Sequence, residues 1–179
     1  MPIVPVLVQE WQQTCCGDPF AVGSAVAWTL ELRDAAEALL PEEVAGSVAV
    51  RASVYGSGEA VEGRVPTLVR GDGGLVALWR APLRYEGDTR VRGVFVEEHH
   101  GELPEDFEPA RGVVRRVRAL WEQYDVRVEN GSRVFRAVPG GAADLREVSA
   151  STDDPLAGGA HPGDDWLFEG WVVDLEVGR

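Results

Sequence analysis

Apolar residues in this chain mostly recur at every second position, the period of a half-buried strand. Val26, Trp28, Leu30 and Leu32 alternate with Ala25, Ala27, Thr29 and Glu31, which predicts one strand over Val22–Leu32 with Trp28 directed into the core. Val48, Val50, Ala52 and Val54 repeat the pattern against Ser47, Arg51 and Ser53. In "RVPTLVRGDGGLVALWRAPL" two apolar runs flank Gly71-Asp72-Gly73-Gly74, which predicts a hairpin. Its second run, Leu75 to Trp79, is apolar throughout and predicts a strand buried on both faces. Further strands are expected around Val91–Glu98, Arg133–Val138, Leu145–Ala150 and Trp166–Val177.

Helical signal is scarce. Asp34, with Glu37 three residues on, forms the acidic version of a capping box, and Pro41 ends that segment after about two turns. "GVVRRVRALWEQY" fits both periods, and its β-branched residues after Gly112 favour a strand. Many short strands with frequent turn signals predict an all-β fold. The expected architecture is a small, mostly antiparallel barrel or sandwich, SH3-like or OB-like, with at most one or two short helices. A single β-rich domain spans residues 1–179, and "STDDPLAGGAHPGDD", 151–165, is expected to be a long, flexible, acidic loop within it.

Composition narrows the partners. The chain carries 30 acidic and 17 basic residues, every base an arginine, and its net charge of −13 repels phosphate backbones and anionic surfaces. Nucleic acid and membrane are therefore not expected as partners. The opening "MPIVPVLVQEW" lacks a basic leader and reads as a first strand, and two cysteines make no disulfide framework. A reducing cytoplasm is the expected compartment.

The two cysteines are adjacent, Cys15-Cys16, before Gly17-Asp18-Pro19. Zinc sites usually space thiolates by two residues, so that both sulfurs face one centre; an extended doublet points them apart unless the backbone kinks. With His99 and His100 the doublet would complete a Cys2His2 set if the fold brought the two segments together. The simpler expectation is packing, with one cysteine in the core and the other near the surface. A thiol arrangement of Cys16, His100 and Glu98 can also be drawn. Asp153, Asp154, His161, Asp164 and Asp165 match no calcium-loop spacing and read as a solvated loop. The six tryptophans, at alternating strand positions, read as core more readily than as a ligand platform. No nucleophile elbow, phosphate loop, H-E-x-x-H or dinucleotide fingerprint is present, and the lack of lysine removes Schiff-base chemistry.

The pattern W-x-x-x-C-C-G-x-P-F-x-V-G-x-x-V-x-W from Trp11 to Trp28, with H-H-G-x-x-P-E from His99 and G-x-V-x-R-V from Gly112, resembles a domain of unknown function from GC-rich bacteria. The likeness implies one domain in which Cys15, Cys16, His99 and His100 belong to a common design, and it implies no activity. Taken together, the expectation is a cytoplasmic, non-catalytic β-barrel module that binds a protein or a small ligand, as monomer or homodimer. The alternative is a zinc-binding protein or metallohydrolase using Cys15, Cys16, His99 and His100; the third is a thiol-dependent enzyme. No cofactor other than zinc is implied.

Overall fold

The computed structural model describes residues 1–35, 44–99, 103–104, 106–138, 141–156 and 161–178. The alternating segments form β1 (Ile3–Gln9), β2 (Ala25–Trp28), β3 (Leu30–Asp34), β4 (Gly46–Val54), β5 (Val65–Arg70) and β6 (Val76–Ala81). They continue with β7 (Gly87–Glu97), β8 (Ala110–Glu129), β9 (Ser132–Ala137), β10 (Ala143–Val148) and β11 (Trp166–Val177). Among the described residues the single α-helix is α1 (Glu10–Cys16). Most of the helix expected after Asp34 falls outside the described residues.

Five strands close a barrel in the order β7-β3-β6-β5-β4 and back to β7. The β3–β6 ladder is parallel and the other four are antiparallel, so the barrel is mixed. The expected hairpin is present as β5 and β6 joined through a 3-10 turn at Asp72–Gly74, where Gly73 and Gly74 take the positive φ that a side chain would resist. Leu75 to Trp79 is buried at every position, as its unbroken apolar run requires.

Strand β7 is the branch point. Its first half pairs with β4 and its second half with β3, while β1 runs parallel to it through Val6 opposite Phe95. From β1 the sheet continues outside the barrel as β11, β8 and β10, with β2 and β9 also held on β8. One core fills the barrel and the adjoining face of this outer sheet, from Leu30, Leu32, Val69, Ala77 and Phe95 to Val6, Val117, Trp171 and Val173. A second, smaller core of Leu7, Val44, Val94, Val96, Leu120 and Val172 covers the opposite face. Burial on both faces explains why β7 and β11 read as nearly continuous apolar runs at their C-terminal halves.

Two sequence expectations change in detail, and the strand favoured for residues 112–124 is found. Val22–Leu32 is not one strand but two: the ladder breaks at Thr29, so β2 pairs with β8 of the outer sheet while β3 enters the barrel. Residues 112–124 are extended, within the 20-residue β8. The cysteine doublet lies in a helix, where an extended turn was expected.

Candidate functional site

The N-terminal strand leads directly into α1, which packs on β1 and β11. Gly17 ends the helix, donating its N–H to the carbonyls of Gln12 and Gln13. Successive residues in a helix diverge by only about 100°, which undoes the objection to adjacent cysteines: the Cys15 and Cys16 sulfurs lie 2.8 Å apart. Both side chains are exposed and neither is in a disulfide, so the expected buried cysteine is not found. The helix spends its buried face on Gln12 instead. The Cys16 thiol is pushed above its ordinary pKa, first by its hydrogen bond with Cys15.

Gln12 links this helix to the end of β7. Its side chain is fully buried; Oε1 accepts the backbone N–H of His99 at 2.9 Å, and Nε2 donates to Glu98 Oε2 at 3.5 Å and to Gln9 Oε1 at 3.1 Å. The cysteine helix and the histidine segment therefore do meet. His100 lies outside the described residues. Among the described residues, no three Cys, His, Asp or Glu side chains converge in a group able to hold a metal ion.

The group that stands out at this junction is Glu97. It is the last residue of β7 and lies opposite Leu30, in register with Phe95, so its side chain follows the inward-facing set and is 1% exposed. His99 Nε2 stands 2.5 Å from Glu97 Oε1, yet neither carboxyl oxygen has an aligned hydrogen-bond donor among the described residues. Burial, reinforced by repulsion from Glu98, lifts the carboxyl to a pKa of about 8. Glu97 is thus predominantly a neutral acid at pH 7.

Outside the barrel wall, beside Glu97, a charged network is satisfied. Arg33 pairs with Glu31 at 2.9 Å and reaches Glu98 at 3.5 Å, and Arg80 reaches the other oxygen of Glu31 at 3.5 Å. Acids are plentiful in this chain, so the Glu97-Glu98 doublet carries no signal as a pair. The signal that would have singled Glu97 out is its phase: Val91, Phe95 and Glu97 share one parity, and the others of that set are buried. Nothing comparable marks Gln12, whose neighbours are all polar or aromatic.

A model of a family of unknown function, DUF6578, matches residues 2–177. The chain belongs to that family. No curated protein and no solved structure matches it.

Two other polar features of this DUF6578 chain lie away from Gln12. On the outer sheet, Tyr124 donates its hydroxyl to Glu169 Oε1 at 2.5 Å, and Glu122 beside them is lifted to a pKa of about 7 by burial and by Glu169. Glu169 occupies a β-bulge, the extra residue of β11 between the pairs Phe168–Trp121 and Gly170–Leu120. A surface cleft of about 370 Å3 lies between β4, the β5–β6 turn and the start of β7, lined on its rim by Arg51, Arg70, Asp72 and Asp88.

The acidic segment 151–165 has no strand or helix among its described residues. Its carboxylates hold the loop's own backbone: Asp153 accepts from the N–H groups of Ser149 and Ala150, and Asp154 from that of Leu156. His161 packs edge-on to Trp121 at 5.0 Å. Of the tryptophans, Trp28, Trp79, Trp121 and Trp171 are buried, in keeping with a core role, and Trp11 is exposed.

Proposed function

We propose that this DUF6578 protein is a non-catalytic small-ligand-binding barrel whose recognition point is the Glu97 end of β7. One observation carries the reading: a carboxyl group buried at the barrel wall, with His99 Nε2 beside one oxygen and the other, Oε2, without a hydrogen bond among the described residues. A polar group left so costs roughly 1–3 kcal/mol, a cost that a ligand's own polar group relieves. A protonated carboxyl both donates and accepts, so the fitting ligand is a small molecule bearing amide, amine or hydroxyl groups. His99 Nε2 stands beside the same carboxyl, at 2.5 Å from its Oε1.

The test is ligand-observed NMR with a set of small amines, amides and alcohols against the full chain. Hits that bind the wild type and lose binding in folded Glu97→Leu support the reading. It fails if no member of the set binds, or if the hits bind Glu97→Leu equally well.

A second reading is favoured by the Gln12 bridge, which sets the dithiol helix against the histidine segment. Cys15 and Cys16 with His99 and His100 would then hold zinc. Elemental analysis of purified protein distinguishes the two: near-stoichiometric zinc that is lost in Cys15→Ser/Cys16→Ser supports a metal centre, and folded, metal-free wild type overturns it.

A further inference from the structure

Cys15 and Cys16 are the last two residues of α1, and Cys16 donates its S–H to the Cys15 sulfur at 2.8 Å, with both side chains exposed. Two thiols in contact at the surface are joined by any oxidant that reaches one of them and is then displaced by the other. The helix does not accommodate that bond. Consecutive Cα atoms are about 3.8 Å apart across a trans peptide, whereas the Cα atoms of a disulfide usually lie about 4.4–6.8 Å apart. Joining neighbours therefore drives the backbone at Cys15-Cys16 out of helical φ/ψ, and a bond strained in this way is easily reduced again.

The last turn is lightly held. The Gly17 N–H is shared between the Gln12 and Gln13 carbonyls, each at 3.2 Å, and the exposed Gln13 side chain donates to the Asp18 carbonyl at 2.9 Å. On either side the chain is fixed: Gln9 pairs with Gly170 in the β1–β11 ladder, and Phe20 is buried in the core and bonded to Ser151. A change at the cysteines is thus confined to the stretch between Gln9 and Phe20, and Gln12 lies within it. An α-helix bonds the N–H of residue 16 to the carbonyl of residue 12, and the Gly17 N–H bonds to that same carbonyl. The segment that a disulfide reshapes is therefore the one that holds the Gln12 backbone. A helix of seven residues has no stability of its own with which to resist.

We propose that Cys15-Cys16 is a thiol–disulfide exchange site whose oxidation releases Gln12 from His99. The substrate is a low-molecular-weight disulfide. The Cys15 thiolate attacks one sulfur of that disulfide and expels a thiolate, leaving a mixed disulfide on Cys15. Cys16, whose thiol the hydrogen bond with Cys15 holds above its ordinary pKa, takes the second, intramolecular step: it attacks the Cys15 sulfur and expels the other thiolate. The S–S bond of the small disulfide breaks and one forms between Cys15 and Cys16. The chain gives up two electrons, the small disulfide takes them, and the two thiol protons go to the departing thiolates. With Gln12 displaced, the His99 N–H loses the Oε1 acceptor that it meets at 2.9 Å. Oxidation thereby alters the backbone beside Glu97, and its effect on a bound ligand is the one consequence that rests on the reading of Glu97 as a ligand site.

The test treats the full chain with oxidised glutathione and reads intact mass together with amide exchange at His99. The wild type is expected to lose two hydrogen atoms and retain no adduct, and exchange at His99 is expected to quicken by about 10-fold or more. Dithiothreitol should reverse both changes. Cys15→Ser and Cys16→Ser, each at an exposed position, are expected to stop at the glutathione mixed disulfide. A wild type that keeps the adduct, or does not react, overturns the exchange site. An internal disulfide that leaves exchange at His99 unchanged overturns its link to Gln12. Both readouts are taken without a ligand, so a failure of ligand binding at Glu97 is seen separately from either outcome.

Discussion

Glu97 and Leu30 face each other across the β3–β7 ladder, and because Leu30 is fully buried the carboxyl opposite it shares the barrel interior. Its pKa stands at about 8 against an ordinary value of 4.5. Between those values the folded chain keeps a proton that the unfolded chain releases. The stability associated with Glu97 is therefore complete below about pH 4.5, declines as pH rises, and levels off above about pH 8. Glu97→Gln, which cannot ionise, is expected to remove this decline. By urea denaturation the variant should match the wild type near pH 5 and exceed it by about 4 kcal/mol at pH 8.5. Equal pH profiles for the two proteins would show that Glu97 is ionised in the fold.

Gln12→Ala removes a buried side chain that joins α1 to the end of β7. It takes from the His99 N–H and the Glu98 carboxylate the hydrogen bonds that Gln12 makes from a fully buried position. The expected cost is about 2–3 kcal/mol, measured by urea denaturation. Amide exchange at His99 should accelerate, whereas amides of β5 and β6 should be unaffected, because those strands share no bond with Gln12.

How much of this was legible in the sequence follows from which forces decide each element. The period-2 runs placed the strands because alternation reports directly on burial; Trp166–Val177 appears as an unbroken strand over the expected residues. The Gly71–Gly74 hairpin was legible for the same local reason. The β8–β9 turn at Asn130-Gly131 carried an equally local signal that the reading passed over. What alternation could not convey is pairing: the break at Thr29, which sends β2 and β3 to different sheets, depends on where β8 and β7 lie. Helix α1 was hidden because Trp11 and the cysteines supply no apolar stripe, and it is held by a buried glutamine. Where the cysteine helix lies relative to the histidine segment was likewise a tertiary question, answered by the Gln12 bonds and by no spacing in the chain.

Phe20 ties the segment after α1 to the core, its ring standing edge-on to Trp28 at 5.4 Å and to Trp171 at 6.0 Å. Ser151 meets the same residue twice, donating its N–H to the Phe20 carbonyl and accepting the Phe20 N–H on its hydroxyl. Phe20→Ala opens a cavity between two indoles and is expected to cost about 3–4 kcal/mol. Limited proteolysis should then cut both near residue 20 and within 151–156. Cleavage confined to the first region would mean that the acidic loop is anchored elsewhere.

Gly170 follows the Glu169 bulge with φ +135°, and a Cβ there would lie 2.1 Å from the Val8 carbonyl oxygen and 2.8 Å from the Glu10 nitrogen. Both contacts are backbone, so no side chain can turn aside to relieve them. They fall where β1 becomes α1, at the Gln9–Gly170 pair. Gly170→Ala must therefore displace the start of the helix or straighten the bulge, and the conformation itself is strained for any L side chain. The expected cost is about 3 kcal/mol or more. A displaced helix carries Gln12 away from His99, so the amide exchange at His99 should rise as it does in Gln12→Ala; a straightened bulge instead breaks the Tyr124–Glu169 hydrogen bond and leaves His99 protected. Measuring exchange at His99 together with the tyrosine titration separates the two, and a variant as stable as wild type would show that the close approach of β1 to Gly170 is not required by the fold.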